Sequence, residues 1–175
     1  SYAWDTTAWP DGTYVIELVV RDKAGNLAST SLTVVVDNTA PEGTILTPLN
    51  GTYASGTLLV EVSGRDKNIM ALELYVDGQL LARWTANGTY ICPLDTTALP
   101  DGLHTLRLLV IDRAGNTREC TVQVIVDNTA PEAQITAPSN GTYVGGTVLV
   151  NITGGDANLL ALELYIDGSL VASWT

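Results

Sequence analysis

Phenylalanine is absent from these 175 residues, methionine and histidine occur once each, and there are only two cysteines. With His104 as the sole imidazole and no His/Cys/Glu cluster at ligand spacing, the chain offers little for acid–base catalysis or a transition-metal centre, and no enzyme is expected. Positive charge is also scarce: 8 Lys and Arg stand against 19 Asp and Glu, a net charge of −11. Such an acidic surface repels phosphate backbones, so nucleic acid is not an expected partner. No run of eighteen apolar residues is present to span a membrane. The first residue is Ser1, and no basic stretch leads into an apolar one. The chain is therefore expected to be a mature protein or a segment of a longer one, with any secretion signal outside it.

What is abundant is Thr, Val, Leu and Gly, the composition of a β protein with many tight turns. The strongest signal is an internal repeat. Asp37-Asn38-Thr39-Ala40-Pro41-Glu42 returns at Asp127 to Glu132, Asp5-Thr6-Thr7-Ala8 at Asp95 to Ala98, and Ala71-Leu72-Glu73-Leu74-Tyr75 at Ala161 to Tyr165, all with one offset of 90 residues. The Asp-Asn-Thr-Ala-Pro junctions divide the chain into residues 1–40, 41–130 and 131–175. The middle piece is a whole unit, the first corresponds to the back of a unit and the last to its front. About five residues, the match of Ala86 to Tyr90, would separate Thr175 from the Ser1 of another copy.

Within the whole unit, alternating runs between turn signals predict seven strands: Gly43 to Thr47, Thr57 to Ser63, Ala71 to Asp77, Gln79 to Thr85, Thr89 to Leu94, His104 to Asp112 and Arg118 to Val126. Leu58, Val60 and Val62 share a face, as do Leu72, Leu74 and Val76, and Leu106, Leu108 and Val110. Glu61, Glu73 and Arg107 fall on the opposite parity. Asn50-Gly51, Asp77-Gly78 and Asn87-Gly88 are expected to supply positive φ, and Pro100-Asp101-Gly102 a further turn. No helix is expected. Ninety residues in seven short strands have the size of an immunoglobulin-like or fibronectin III-like antiparallel β-sandwich, so the fold class is all-β, with such sandwiches in tandem. Tyr14 and His104, two residues after Asp-Gly, occupy the place of a corner residue that bonds back to the chain.

Asn50-Gly51-Thr52-Tyr53, Leu74-Tyr75-Val76-Asp77-Gly78, Asp95-Thr96-Thr97 with Pro100-Asp101-Gly102, Asp112-Arg113-Ala114-Gly115-Asn116 and Val126-Asp127-Asn128-Thr129-Ala130-Pro131 together resemble the bacterial and archaeal Ig-like (Big-type) repeats of large secreted and cell-surface proteins. The resemblance covers the whole chain through turn and strand signatures. It implies an extracellular or surface location and a spacer, adhesive or wall-forming role, and fold alone does not prove function.

Cys92 and Cys120 change together, to Tyr2 and Thr30, in the other copy. This favours a disulfide over two core thiols, closing a loop of about thirty residues worth roughly 3 kcal/mol. Asn50, Asn87, Asn140 and Asn151 begin N-glycosylation sequons, although Asn-Gly is also what a tight reversal requires. Asp37 and Asn38 are expected near Asp66, Asn68, Asp112 and Asn116. That set is similar to the calcium-bridged junctions of cadherins, or else marks a turn leading into a rigid linker. No cofactor is required, and calcium is the one candidate. Trp84, Tyr75 and Tyr90 are a candidate platform for glycans, while replacement of Trp4 and Trp9 by Leu94 and Leu99 points to packing.

Half a sandwich exposes an apolar face and open edges, so each terminal piece needs a partner. The leading expectation is a fibre, surface-layer or adhesin-type structural module. It would assemble head to tail through complementary half-domains, with itself as partner, or stand among neighbouring Ig-like repeats in a longer array. The alternative is an accessory module binding carbohydrate or a receptor.

Overall fold

A computed structural model describes all residues, Ser1–Thr175. In chain order the strands are β1 (Gly12–Arg21), β2 (Leu27–Val36), β3 (Glu42–Thr47), β4 (Thr52–Ala54), β5 (Thr57–Arg65), β6 (Ile69–Val76), β7 (Gln79–Trp84), β8 (Gly88–Asp95), β9 (Gly102–Asp112), β10 (Thr117–Val126), β11 (Glu132–Ala137), β12 (Asn151–Gly155), β13 (Leu162–Ile166) and β14 (Ser169–Trp174). A single 3-10 turn, Thr96–Ala98, follows β8. The all-β class expected from the alternating sequence is the class observed.

Strands β3 to β10 form two facing sheets, β4-β10-β9-β6-β7 and β3-β5-β8. All seven strands expected in this region are present. The one unforeseen strand is β4, three residues long, which pairs parallel to the end of β10; a run that short carries no readable alternation. Asp77 and Gly78, with φ of 48° and 82°, make the two-residue reversal between β6 and β7. Asn87-Gly88 departs from expectation. Gly88 opens β8 without positive φ, and the Asn87 side chain instead holds the loop at Asp66, accepting from its N–H at 2.8 Å and donating to its carbonyl at 2.8 Å.

The parity read from the sequence decides the core. Val60, Val62, Leu72, Leu74, Leu106, Leu108, Val110 and Val124 are fully buried between the sheets. On the outer face Glu73 pairs with Arg83 at 3.1 Å and Arg107 with Glu119 at 3.0 Å. Gly64 lets the sheets close: a Cβ there would stand 2.5 Å from Leu72 Cδ2. All 20 buried residues lie between Val36 and Val126.

The flanks are different. β1 pairs only with β2, β11 only with β12, and β13 only with β14. Ile16, Leu18 and Val20, which match the fully buried Leu106, Leu108 and Val110, are 43%, 61% and 56% exposed. Burying a side chain of this kind contributes about 1.5–3 kcal/mol. These hairpins forgo that stabilisation in the isolated chain.

Candidate functional site

The Asp-Asn-Thr linkers between units are where the repeated polar residues converge. In the first linker Asn38 donates its backbone N–H to Asp11 Oδ1 at 2.7 Å, and its side-chain amide to the carbonyls of Thr6 and Trp9 at 3.0 and 3.1 Å. Thr39 donates its hydroxyl to Asp11 Oδ2. The second linker repeats these bonds through Asn128 N–H to Asp101 Oδ1 at 2.8 Å, Asn128 Nδ2 to the Thr96 carbonyl at 3.0 Å, and Thr129 hydroxyl to Asp101 Oδ2. The Pro-Asp-Gly turn thus clamps the linker that leaves its own unit. The linker threonine hydroxyl and then the asparagine N–H hold the carboxyls of Asp11 and Asp101 below the ordinary aspartate value. Sequence reading saw Asp101 only as a turn residue; its retention as Asp11 in the other copy was the available signal.

The following unit grips the same linker from the other side. Asn68 Nδ2 donates to Asp37 Oδ2 at 2.6 Å, and Asn116 Nδ2 donates to the Asp37 carbonyl at 2.9 Å, to the Thr39 carbonyl at 3.3 Å and to Asp112 Oδ2 at 2.7 Å. Asp112, fully buried, also accepts from the N–H groups of Ala114 and Asn116 at 2.9 and 2.8 Å. These donors take the place of water around the buried carboxyl.

Of the six candidate calcium ligands, Asp37, Asp66 and Asp112 bring carboxylate oxygens within 4.8 Å of one another. Three such hard oxygens could hold a divalent cation. Asn68 and Asn116 turn N–H groups toward the carboxylates and so act as donors rather than oxygen ligands. Asn38 is turned away, onto the preceding piece, because the strand before it ends against the Thr6 to Trp9 turn.

The second junction is half built. Asn158 Nδ2 donates to Asp127 Oδ2 at 2.7 Å, the counterpart of the Asn68 bond. The counterpart of the Asp112 loop is Asp22 to Asn26, at the other end of the chain. There Asp22 accepts from Ala24 N at 2.9 Å and from Asn26 N and Nδ2 at 2.8 and 2.7 Å, as Asp112 does within its loop.

The expected corner bond is present in both copies: Tyr14 Oη donates to the Pro10 carbonyl at 2.7 Å, and His104 Nε2 to the Pro100 carbonyl at 2.8 Å. His104 Nδ1 lies 2.6 Å from Asp77 Oδ2. Both neighbours are acceptors, a setting that favours the imidazolium, in which both ring nitrogens donate. The Asp77 carboxylate, opposed by burial and aided by the Pro100 carbonyl, raises the His104 pKa.

The remaining candidates separate. Trp84 and Tyr90 stack at 4.8 Å, half-buried against the core, whereas Tyr75 lies on the outer face beneath Arg107, 4.3 Å from ring centroid to guanidinium carbon. No three-ring platform forms, because Trp84 pairs with inward-facing Leu72 while Tyr75 has the opposite parity. Trp4, Trp9 and Tyr14 pack edge to face at 5.2–5.9 Å. Cys92 and Cys120 are free thiols rather than the expected disulfide. Cys120 Sγ meets the Gly43 carbonyl on β3 at 2.9 Å, and Cys92 sits on β8, beyond β5. Among the sequons, Asn50 Oδ1 accepts from Gln123 N at 2.8 Å, Asn87 is engaged with the Asp66 loop, and Asn140 and Asn151 are exposed.

Two facing sheets in this order, a corner bond and clamped linkers define a tandem immunoglobulin-like sandwich. Residues 41–108 match the family described as Bacterial Ig domain, and residues 1–70 match Bacterial Ig-like domain (group 3). Both matches are to bacterial Ig-like domains, which are typically non-catalytic modules and usually occur in extracellular or surface proteins. No curated protein matches it. Among solved structures, the endo-beta-1,4-mannanase from Thermotoga petrophila is 23% identical with a TM-score of 0.45, over 53% of this chain and 21% of that one. The fibronectin(III)-like modules of Clostridium thermocellum CbhA are 16% identical with a TM-score of 0.43, over 51% of this chain and all of that one. The chain thus spans about a fifth of the mannanase's length. No helix is long and apolar enough to cross a membrane.

Proposed function

We propose that this chain is a structural repeat module of an extracellular fibre, surface-layer or adhesin-type protein, in which Ig-like units stand end to end. The observation that carries this reading is the double clamp on the linker. Asp37 to Thr39 are bonded to Asp11, Thr6 and Trp9 of the unit behind, and to Asn68 and Asn116 of the unit ahead. A linker held from both sides transmits orientation and load, which a spacer or fibre needs and a flexibly tethered module does not. Pro41 and Pro131 close each linker and add stiffness.

The reading as an accessory carbohydrate- or receptor-binding module has less support, since Trp84 and Tyr75 face opposite sides of the sheet. Electron microscopy of the purified protein tests the proposal. Thin, straight fibres with an axial repeat of roughly 70 to 90 Å, two domain lengths, are expected. Dispersed particles that bend freely at the linkers would contradict it.

A further inference from the structure

We propose that the joint at residues 127–129 is pH-sensitive: the ring of His104 ties the turn that grips this linker to the β6–β7 turn, and loss of one ring proton loosens the grip. This is a property of one joint and holds whether or not the units stand end to end in a fibre.

The chain of contacts is short. His104 Nδ1 lies 2.6 Å from Asp77 Oδ2, and Nε2 lies 2.8 Å from the Pro100 carbonyl. Asp77, at φ 48° in the β6–β7 turn, is itself fixed: it accepts from Thr105 N at 2.8 Å and donates its own N–H to the Thr105 carbonyl at 2.9 Å. The residue after Pro100 is Asp101, whose carboxylate accepts from Asn128 N–H at 2.8 Å and from the Thr129 hydroxyl. One buried ring thus stands between a fixed turn and the carboxylate that holds the linker.

With both ring nitrogens protonated, each of the two acceptors is met, whereas a neutral imidazole has a single N–H. The Asp77 carboxylate keeps that proton on Nδ1. The bare lone pair of Nε2 then faces the Pro100 carbonyl and displaces the Pro-Asp-Gly turn, and Asp101 moves with it. The linker does not come free, because Asn128 keeps its side-chain bonds to the Thr96 carbonyl at 3.0 Å and to Gly56 N–H at 3.1 Å. The joint slackens at Asn128 N–H and Thr129 rather than opening.

The surrounding charges leave this role to one pair. Residues 52–58, 76–82, 94–105 and 124–130 meet at this end of the sandwich and contain no lysine or arginine. Their acidic residues are Asp77, Asp95, Asp101 and Asp127. Asp95 accepts from the Thr97 N–H and hydroxyl, Asp127 accepts from Asn158 and Thr129, and only Asp77 bonds the ring. Across the ladder β10 faces His104 with Val124, Tyr53 is exposed, and Arg107 on the same strand pairs with Glu119 on the outer face. Asp77 favours the protonated ring, so the bridged state belongs to low pH and is lost as pH rises through the raised folded value. At the first joint Asp11 holds the linker in the same way, but Tyr14 bonds the Pro10 carbonyl through a hydroxyl, and there is no imidazole to titrate.

The test is nuclear magnetic resonance of the full chain from about pH 6 to about pH 9, across the ordinary histidine value of 6.5. Ring shifts of His104 report its proton, and backbone relaxation reports the order of residues 128 and 129 in the folded state. Order parameters there are expected to fall from about 0.85 toward about 0.6 with the midpoint of the ring titration, while those of β5 stay constant. His104→Tyr, which installs the residue of the other copy, should hold the linker at one value throughout. Asp77→Asn keeps a residue tolerant of positive φ and should move both the ring titration and the linker transition to lower pH together. A linker that stays equally ordered while the ring loses its proton would overturn the proposal. So would a linker that loosens to the same extent in His104→Tyr, or a ring that keeps one charge state over the whole range.

Discussion

His104 shows how one substitution between copies changes the physics of an otherwise shared corner. Tyr14 makes the corner bond with its hydroxyl alone, whereas His104 sits between Asp77 and the Pro100 carbonyl, which together favour the protonated ring. Its folded pKa is raised, so its stabilisation is fully present below the ordinary histidine value of 6.5 and is lost as pH rises through the folded value. The melting temperature is therefore expected to fall as pH rises from about 6.5 through the raised folded value, and His104→Tyr should flatten that slope; equal slopes in the two proteins would contradict the assignment. Gly64 is a second single-residue test. Ala there must displace Leu72 at the centre of the core, at a cost of about 1–3 kcal/mol measurable by urea unfolding. The corner was legible in the sequence because Pro-Asp-Gly sits four residues upstream in both copies. The Asp77 partner was not, since it comes from a turn 27 residues away in sequence.

Among the elements, the linkers carry the account. Asn116→Ala removes donors to Asp112, Asp37 and Thr39 and leaves a buried carboxylate short of a partner. It should cost about 1–3 kcal/mol and raise amide exchange in the linker before it affects the core. The carboxyls of Asp11 and Asp101 have depressed folded pKa values, so their clamping is present above the ordinary 3.8 and is lost as pH falls through the folded value. Junction amides at Asn38 and Asn128 should therefore lose protection in acid while β5 and β6 keep theirs. Asn68 and Asn116 already hold two of the three clustered carboxylates, so the junction is expected to form without a cation. Equal melting temperatures in calcium and in EDTA are expected, and a rise of several degrees in calcium would show that the cluster takes an ion. Seven strands were legible because period-2 alternation survives wherever one face is buried and the other wet. The relation between Cys92 and Cys120 was not, because inward parity on two strands does not say which groups of the facing sheet each side chain meets.

For the whole molecule, the 90-residue offset did more than any motif, since it made the middle unit a template for both flanks. Sequence alone carried the frame of the repeat and the uncovered faces that follow from it. It did not carry the absence of a ladder at residues 142–144 and 147–150, which depends on strands that are distant along the chain. The central claim is that the linker between units is held from both sides. Hydrogen exchange of the full chain tests it most directly. The account predicts that the linker amides of Asn38 and Asn128 are protected alongside those of β5, β6 and β9. Linker amides that exchange as fast as those of an unstructured segment, beside a protected middle unit, would contradict it.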